Sequence, residues 1–291
     1  MQRLASSLVV ALAVVGAAGA CSLTTSLEGY AGPALSGGDG AAADASPEGA
    51  ALPDARADAA DAADAAGSRY RAAVLADSPL AYYRLDDTGD IARDELGAHD
   101  GHIKGTLAAT AGALAGDANR AAAFDGASFV EIGDVFPFLG TASFSIEAWA
   151  RPLAPASDPG CMVAKNVPTD GGSVADGYAL FLESDSNQVT QARFHDSVED
   201  GATGPVIEAG KFAHVVSTYD GTTIRLYVDG EKVTELTSTS NLAVVPRPLT
   251  LGASRGGAYC YFRGALDEIA IYGSALPGDR IRAHHDAGLG K

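Results

Sequence analysis

From Tyr70 onward, apolar residues recur in short runs broken by Gly, Asp, Asn and Pro. In Phe144–Arg151, Phe144, Ile146, Ala148 and Ala150 fall on one side, and Ser145, Glu147, Trp149 and Arg151 on the other. That period of two is the mark of a pleated strand. Thr223–Val228 repeats it with Ile224, Leu226 and Val228. The same texture predicts strands at Leu80–Leu85, Ala121–Asp125, Phe129–Ile132, Met162–Asn166, Tyr178–Glu183, Val189–His195, Phe212–Tyr219, Lys232–Leu236, Leu249–Gly252 and Tyr261–Tyr272. Asp229-Gly230 accepts the positive φ angles of a type I′ turn, and Asp220-Gly221 is a second turn signal. Phe212–Leu236 is therefore expected to form a three-stranded antiparallel meander. One helix is predicted, over Gly278–Ala287, with Pro277 at its entry and Gly288 as its stop. It reads as a clasp that closes the domain. Many short antiparallel strands with little helix indicate an all-β, two-sheet antiparallel jelly-roll sandwich with a short C-terminal helix.

The first seventy residues have another texture. Arg3 precedes the apolar run Leu8–Val15, and Ala18-Gly19-Ala20 supplies small residues for cleavage, so residues 1–20 read as a signal peptide. The run is too short for a secure membrane span. Ala18-Gly19-Ala20-Cys21 resembles the bacterial lipobox, with Ala18 where Leu is usual. Cys21 is then the lipidated N-terminus of the mature chain, and Ser22 after it directs by resemblance to the outer membrane. The other reading is an ordinary signal peptide. Residues 21–69 are Ala, Gly, Asp, Ser and Pro with almost no large apolar side chain, which is the composition of a disordered spacer.

Charge narrows the partners. The 291 residues carry a formal net charge of -17. The eight acids and three bases of residues 1–69 account for only part of it. Phosphate backbones are repelled by such a domain, so nucleic acid is excluded as a partner. In an exported chain, Cys161 and Cys260 read as a disulfide pair, with two buried thiols as the alternative.

The sequence motifs gather into a family likeness. Tyr82-Tyr83-Arg84-Leu85-Asp86, Phe124-Asp125-Gly126, Phe144-Ser145-Ile146-Glu147-Ala148-Trp149, His214–Gly221, Leu226-Tyr227-Val228-Asp229-Gly230 and Phe262–Tyr272 occur in that order. Together they resemble the LamG-like jelly-roll domain of the concanavalin A-like lectin/glucanase superfamily, over about residues 78–290. Phe212 stands where such domains often carry Trp. The resemblance implies two face-packed sheets of six or seven strands, and binding of carbohydrate, protein or matrix. It also implies the Cys161–Cys260 disulfide.

Catalytic pairs are missing from the sequence. A glucanase of this superfamily needs two carboxylates close on one strand. Glu183-Ser184-Asp185 and Asp267-Glu268 fall short, and neighbouring residues on a regular strand face opposite ways. No nucleophile elbow, phosphate loop or zinc motif occurs. His214 is expected inside the sheet, and His284 and His285 on the helix surface. His99 and His102 flank a solvated turn. No cofactor is required; structural calcium on Asp94, Asp125 and Asp267 is weighed against turn capping by the same residues. Tyr178, Tyr259 and Tyr261 are candidate sugar-stacking aromatics, with core packing as the equal alternative for each. The expectation is an exported, non-enzymatic module at the outer membrane or cell surface, touching the membrane only through its lipid. It would bind glycan, or alternatively an envelope or extracellular protein; a glycoside hydrolase is the third reading.

Overall fold

The computed structural model describes residues 69–168, 175–196 and 198–291. The signal peptide, Cys21 and nearly all of the spacer lie outside the described residues. Among the described residues no helix is long and apolar enough to cross a membrane.

Two antiparallel sheets of eight strands each form the domain. The first runs β14 (Glu231–Thr237), β13 (Thr223–Val228), β12 (Ala213–Tyr219), β7 (Phe144–Pro152), β16 (Arg263–Tyr272), β5 (Arg120–Asp125), β4 (Ala108–Ala111), and β1 (Ala81–Tyr83) also pairs with β16. The second runs β11 (Val198–Val206), β10 (Gln188–His195), β9 (Ala175–Leu182), β8 (Gly160–Pro168), β15 (Leu249–Leu251), β6 (Phe129–Gly133), β3 (Gly101–Lys104) and β2 (Ile91–Ala92). Each sheet thus exceeds the six or seven strands that the family likeness implied. The additions are short or polar: β2, β3, β4 and β11 have little apolar alternation to betray them.

Alternation places one set of side chains between the sheets. Phe144, Ile146, Ala148 and Ala150 of β7 meet Tyr178, Leu180 and Leu182 of β9 in the core. The expected meander forms: β12 pairs with β13 and β13 with β14. Asp229 and Gly230 both have positive φ, as the I′ turn requires. The Asp220 turn works differently, because its carboxylate accepts the N–H groups of Thr222 and Thr223.

The outer face of the first sheet is also covered. A helical segment over residues 69–76, α1, and the C-terminal helix α2 (Gly278–Gly288) lie on it. Tyr70 and Val74, one turn apart, bury completely. Ile281, His284 and Gly288 form the buried stripe of α2. Gly288 presses on the indole: a Cβ there would lie 2.5 Å from Trp149 Cζ2. This third layer is why Glu147 and Trp149, on the polar side of the sequence pattern, have essentially no exposed surface.

Candidate functional site

Among the described residues no helix packs on the outer face of the second sheet, and register builds a trough across it. Ala164, Ala179, Ala192 and Gly201 stand opposite one another on β8, β9, β10 and β11. This row of small residues runs at right angles to the strands. Cys161, Phe181, Thr190 and Thr203 form the row on one side; Asn166, Gly177, Phe194 and Glu199 form the row on the other. The aromatic rings of Phe181 and Phe194 therefore rise above an alanine floor, and the outer-face apolar residues pack as one cluster. The resulting groove has a volume of about 280 Å³.

The loop between β15 and β16 supplies the end wall at β8. The Cys161–Cys260 disulfide ties this loop down, with Cα atoms 5.3 Å apart. Arg255 N–H donates to Asn166 Oδ1 at 3.1 Å, and the Arg255 guanidinium lies 4.5 Å from the Tyr259 ring centre. Glu183 and Glu199 carry the acidic side of the groove. The disulfide closes a separation of 99 residues, so the double variant Cys161→Ser/Cys260→Ser is expected to lose roughly 2–4 kcal/mol of stability in urea unfolding. No loss would mean that the loop holds without it.

The structure separates the residues nominated from sequence. Tyr259 borders the groove. Tyr261 faces a neighbouring cavity of about 600 Å³, with its hydroxyl donating to Gly257 O. Tyr178 does not reach the surface: it is fully buried between Phe138 and Phe144, and its hydroxyl donates to Phe136 O at 2.9 Å. It is a core residue, placed inward by the same alternation that puts Ala179 and Phe181 outward.

The three aspartates proposed for calcium serve three separate turns. Asp94 accepts N–H groups from Tyr82, Leu96, Ala98 and His99. Asp125 accepts those of Ala127 and Ser128, which hold its carboxyl below the usual range. Asp267 accepts Ala113 N–H at 2.8 Å. Each carboxylate caps its own turn, so the three do not come together around one point. Among the described residues the one convergence of three metal-ligating side chains is Asp176, His195 and Asp196, on the rim of the second sheet.

Two buried polar clusters lie on the first sheet, one under the helices around Glu147 and one around Asp267 and Glu268. Glu147 accepts from Tyr70 Oη at 2.9 Å and Tyr272 Oη at 2.7 Å, and pairs with His214 Nε2 at 2.7 Å and His284 Nδ1 at 3.0 Å. His284 Nε2 lies 2.8 Å from Asp77 Oδ2. His284 is thus fully buried, not on the helix surface as its sequence position indicated, because α1 covers that side. His214 sits inside the sheet, as expected.

The second cluster corrects the reading of Asp267-Glu268. The register of β16 against β7 shifts between Asp267 and Ala270, and Glu268 takes φ 50°. The bulge turns both carboxylates to the same side, where Asn119 Nδ2 reaches each, at 3.4 and 2.7 Å. Tyr82 Oη and Arg84 Nε also donate to Glu268.

Comparison with known proteins settles the family. A sequence profile described as the concanavalin A-like lectin/glucanases superfamily matches residues 124–282. The chain belongs to that superfamily. No curated protein matches it. Among solved structures, domain 4 of AbnA, a GH43 extracellular arabinanase from Geobacillus stearothermophilus bound to arabinotriose, is 17% identical with a TM-score of 0.55, over 71% of this chain and 97% of that one. Trypanosoma rangeli sialidase is 14% identical with a TM-score of 0.54, over 71% of this chain and 32% of the sialidase. The botulinum neurotoxin serotype C1 binding domain is 11% identical with a TM-score of 0.52, over 74% and 53%. These likenesses show the fold. Within the superfamily, fold does not name the ligand; the open trough of the second sheet must argue for itself.

Proposed function

We propose that this member of the concanavalin A-like superfamily is a non-catalytic carbohydrate-binding module, held at the outer membrane or cell surface by lipid on Cys21 and lifted from it by the spacer. The observation that carries the reading is the trough: Ala179 at its floor, aromatic flanks at Phe181 and Phe194, and hydrogen-bonding groups at Asn166, Glu183, Glu199 and Ser254 along its edges. Concave apolar surfaces with a few placed polar groups are where small ligands bind. The AbnA domain is bound to arabinotriose, a sugar, which supports the same class. The closely placed Asp267 and Glu268 have no exposed surface and are taken up by Tyr82, Arg84, Ala113 and Asn119, which supports the non-enzymatic reading.

The test is calorimetric titration of the whole protein with a panel of neutral and charged oligosaccharides, with EDTA throughout. Binding is expected, and Phe194→Ala should weaken it by about tenfold, the loss of one aromatic contact. Binding unaffected by Phe194→Ala would move the site elsewhere. Release of reducing ends during the titration would make the protein a hydrolase.

A further inference from the structure

Two carboxylates, Glu183 and Glu199, line one side of the trough. On β11 the outward residues read Glu199, Gly201, Thr203. Glu199 folds back over Gly201: a Cβ at that glycine would lie 2.8 Å from Glu199 Oε1. The Gly201 backbone is not in the left-handed region, and the Glu199 carboxylate occupies the space a Cβ would take there. Glu183 approaches from β9, accepting Thr190 Oγ1 at 2.7 Å. Thr190 Oγ1 lies 2.9 Å from Thr203 Oγ1, so the two acids flank one threonine pair.

These carboxylates repel each other. Burial pushes the Glu199 carboxyl up, and the Glu183 charge pushes it further. Among the described residues no lysine, arginine or histidine pairs with either. Arg255, the cation of the groove, is stacked on Tyr259 in the end-wall loop. A guest with a positive charge relieves the repulsion and gains the face of Phe194, which stands directly across from Glu199. A guest with a negative charge meets two acids on a chain of net charge -17. Glu183 and Glu199 belong to no convergence of three ligating groups, whereas calcium takes six to eight oxygens, so an organic cation fits better than a metal ion.

We propose that the trough selects sugars bearing a free ammonium group, that is, unacetylated amino-sugar units, over neutral or acidic ones. This inference rests on the trough being a carbohydrate site. The probes are the trimer of glucosamine and the trimer of N-acetylglucosamine, which differ at the nitrogen, titrated into the whole protein at about pH 6, where an amine is protonated. The glucosamine trimer is expected to bind about tenfold more tightly. The preference should fall to within about twofold in Glu183→Gln/Glu199→Gln, and survive in Glu208→Gln/Glu231→Gln, which removes two exposed acids outside the groove. Gly201→Ala should reduce it too, by displacing the Glu199 carboxylate, with an unchanged melting temperature. Equal or tighter binding of the N-acetylated trimer, still dependent on Phe194, would overturn the ammonium selection and leave the carbohydrate reading standing. Binding of neither trimer nor any other oligosaccharide would overturn both. Trilysine binding as tightly as the glucosamine trimer, with the same dependence on Glu183 and Glu199, would assign the trough to basic peptides and overturn the proposal.

Discussion

Replacing Glu147 by alanine is expected to cost about 3–5 kcal/mol of folding stability, the usual penalty for stripping one partner from a buried ion pair. In a domain of this size that lowers the melting temperature by roughly 6–20 °C. The reason is the number of groups that Glu147 alone satisfies. Tyr70 comes from α1, His214 from β12, Tyr272 from β16 and His284 from α2, and all four point at one carboxylate with no exposed surface. Burial by itself pushes Glu147 up, but His284 and His214 overcome it and hold the carboxyl well below the usual range. Burial pushes His284 down, yet Glu147 and then Asp77 raise it above its ordinary value. The carboxylate contribution is present above the ordinary carboxylate pKa and disappears as pH falls through the lowered one. The imidazolium contribution is complete below the ordinary histidine pKa and disappears as pH rises through the raised one. The cluster is therefore strongest between about pH 4.5 and 6.5. Thermal unfolding followed by circular dichroism checks both points. A loss under about 1 kcal/mol would mean that the helices hold to the sheet through their apolar residues alone.

Asp267→Asn is expected to do the opposite at alkaline pH and stabilise the protein. Burial pushes Asp267 up to about 7, and burial with the neighbouring Asp267 charge pushes Glu268 up as well. Three donors converge on Glu268, from Tyr82, Arg84 and Asn119, whereas Asp267 has one strong donor, Ala113 N–H. Asp267 is the partner that keeps the proton. A carboxyl whose folded pKa is raised contributes stability at acid pH and loses it as pH climbs from the ordinary carboxylate value through the raised one. For Asp267 that slope amounts to as much as about 4 kcal/mol between pH 4 and 8. Asparagine mimics the protonated form at every pH. The variant should match the parent below about pH 4 and exceed it by about 2–4 kcal/mol near pH 8. Parallel stability curves for the two proteins would show that Asp267 is ionised in the fold.

These two clusters mark where the sequence stops being readable. Alternation along β7, the Asp229-Gly230 turn and the final helix are local features, and each appears in the structure where its residues put it. The Asp267–Glu268 pair escaped because a bulge breaks the period of two, and nothing in the string Leu266-Asp267-Glu268-Ile269 announces it. The burial of His284 escaped because it depends on α1, a short helix at the very end of a spacer-like stretch. The trough is harder still. Its floor takes one small residue from each of four strands, and only their mutual register lines up Ala164, Ala179, Ala192 and Gly201. Along the chain these four are unremarkable. Tyr178 is open in the sequence to sugar stacking or to packing for the same reason: inward or outward is set by register, which the sequence does not state.

The most direct test of the central claim is amide NMR of the protein during titration with the glucosamine trimer. Binding in the trough is expected to shift the amides of Ala164, Ala179, Ala192 and Gly201 and those of the Arg255–Tyr259 loop, while the amides around Trp149, on the far sheet, stay in place. Saturable binding that moves the residues around Trp149 or the edge strand β14, and leaves the alanine row unmoved, would contradict it.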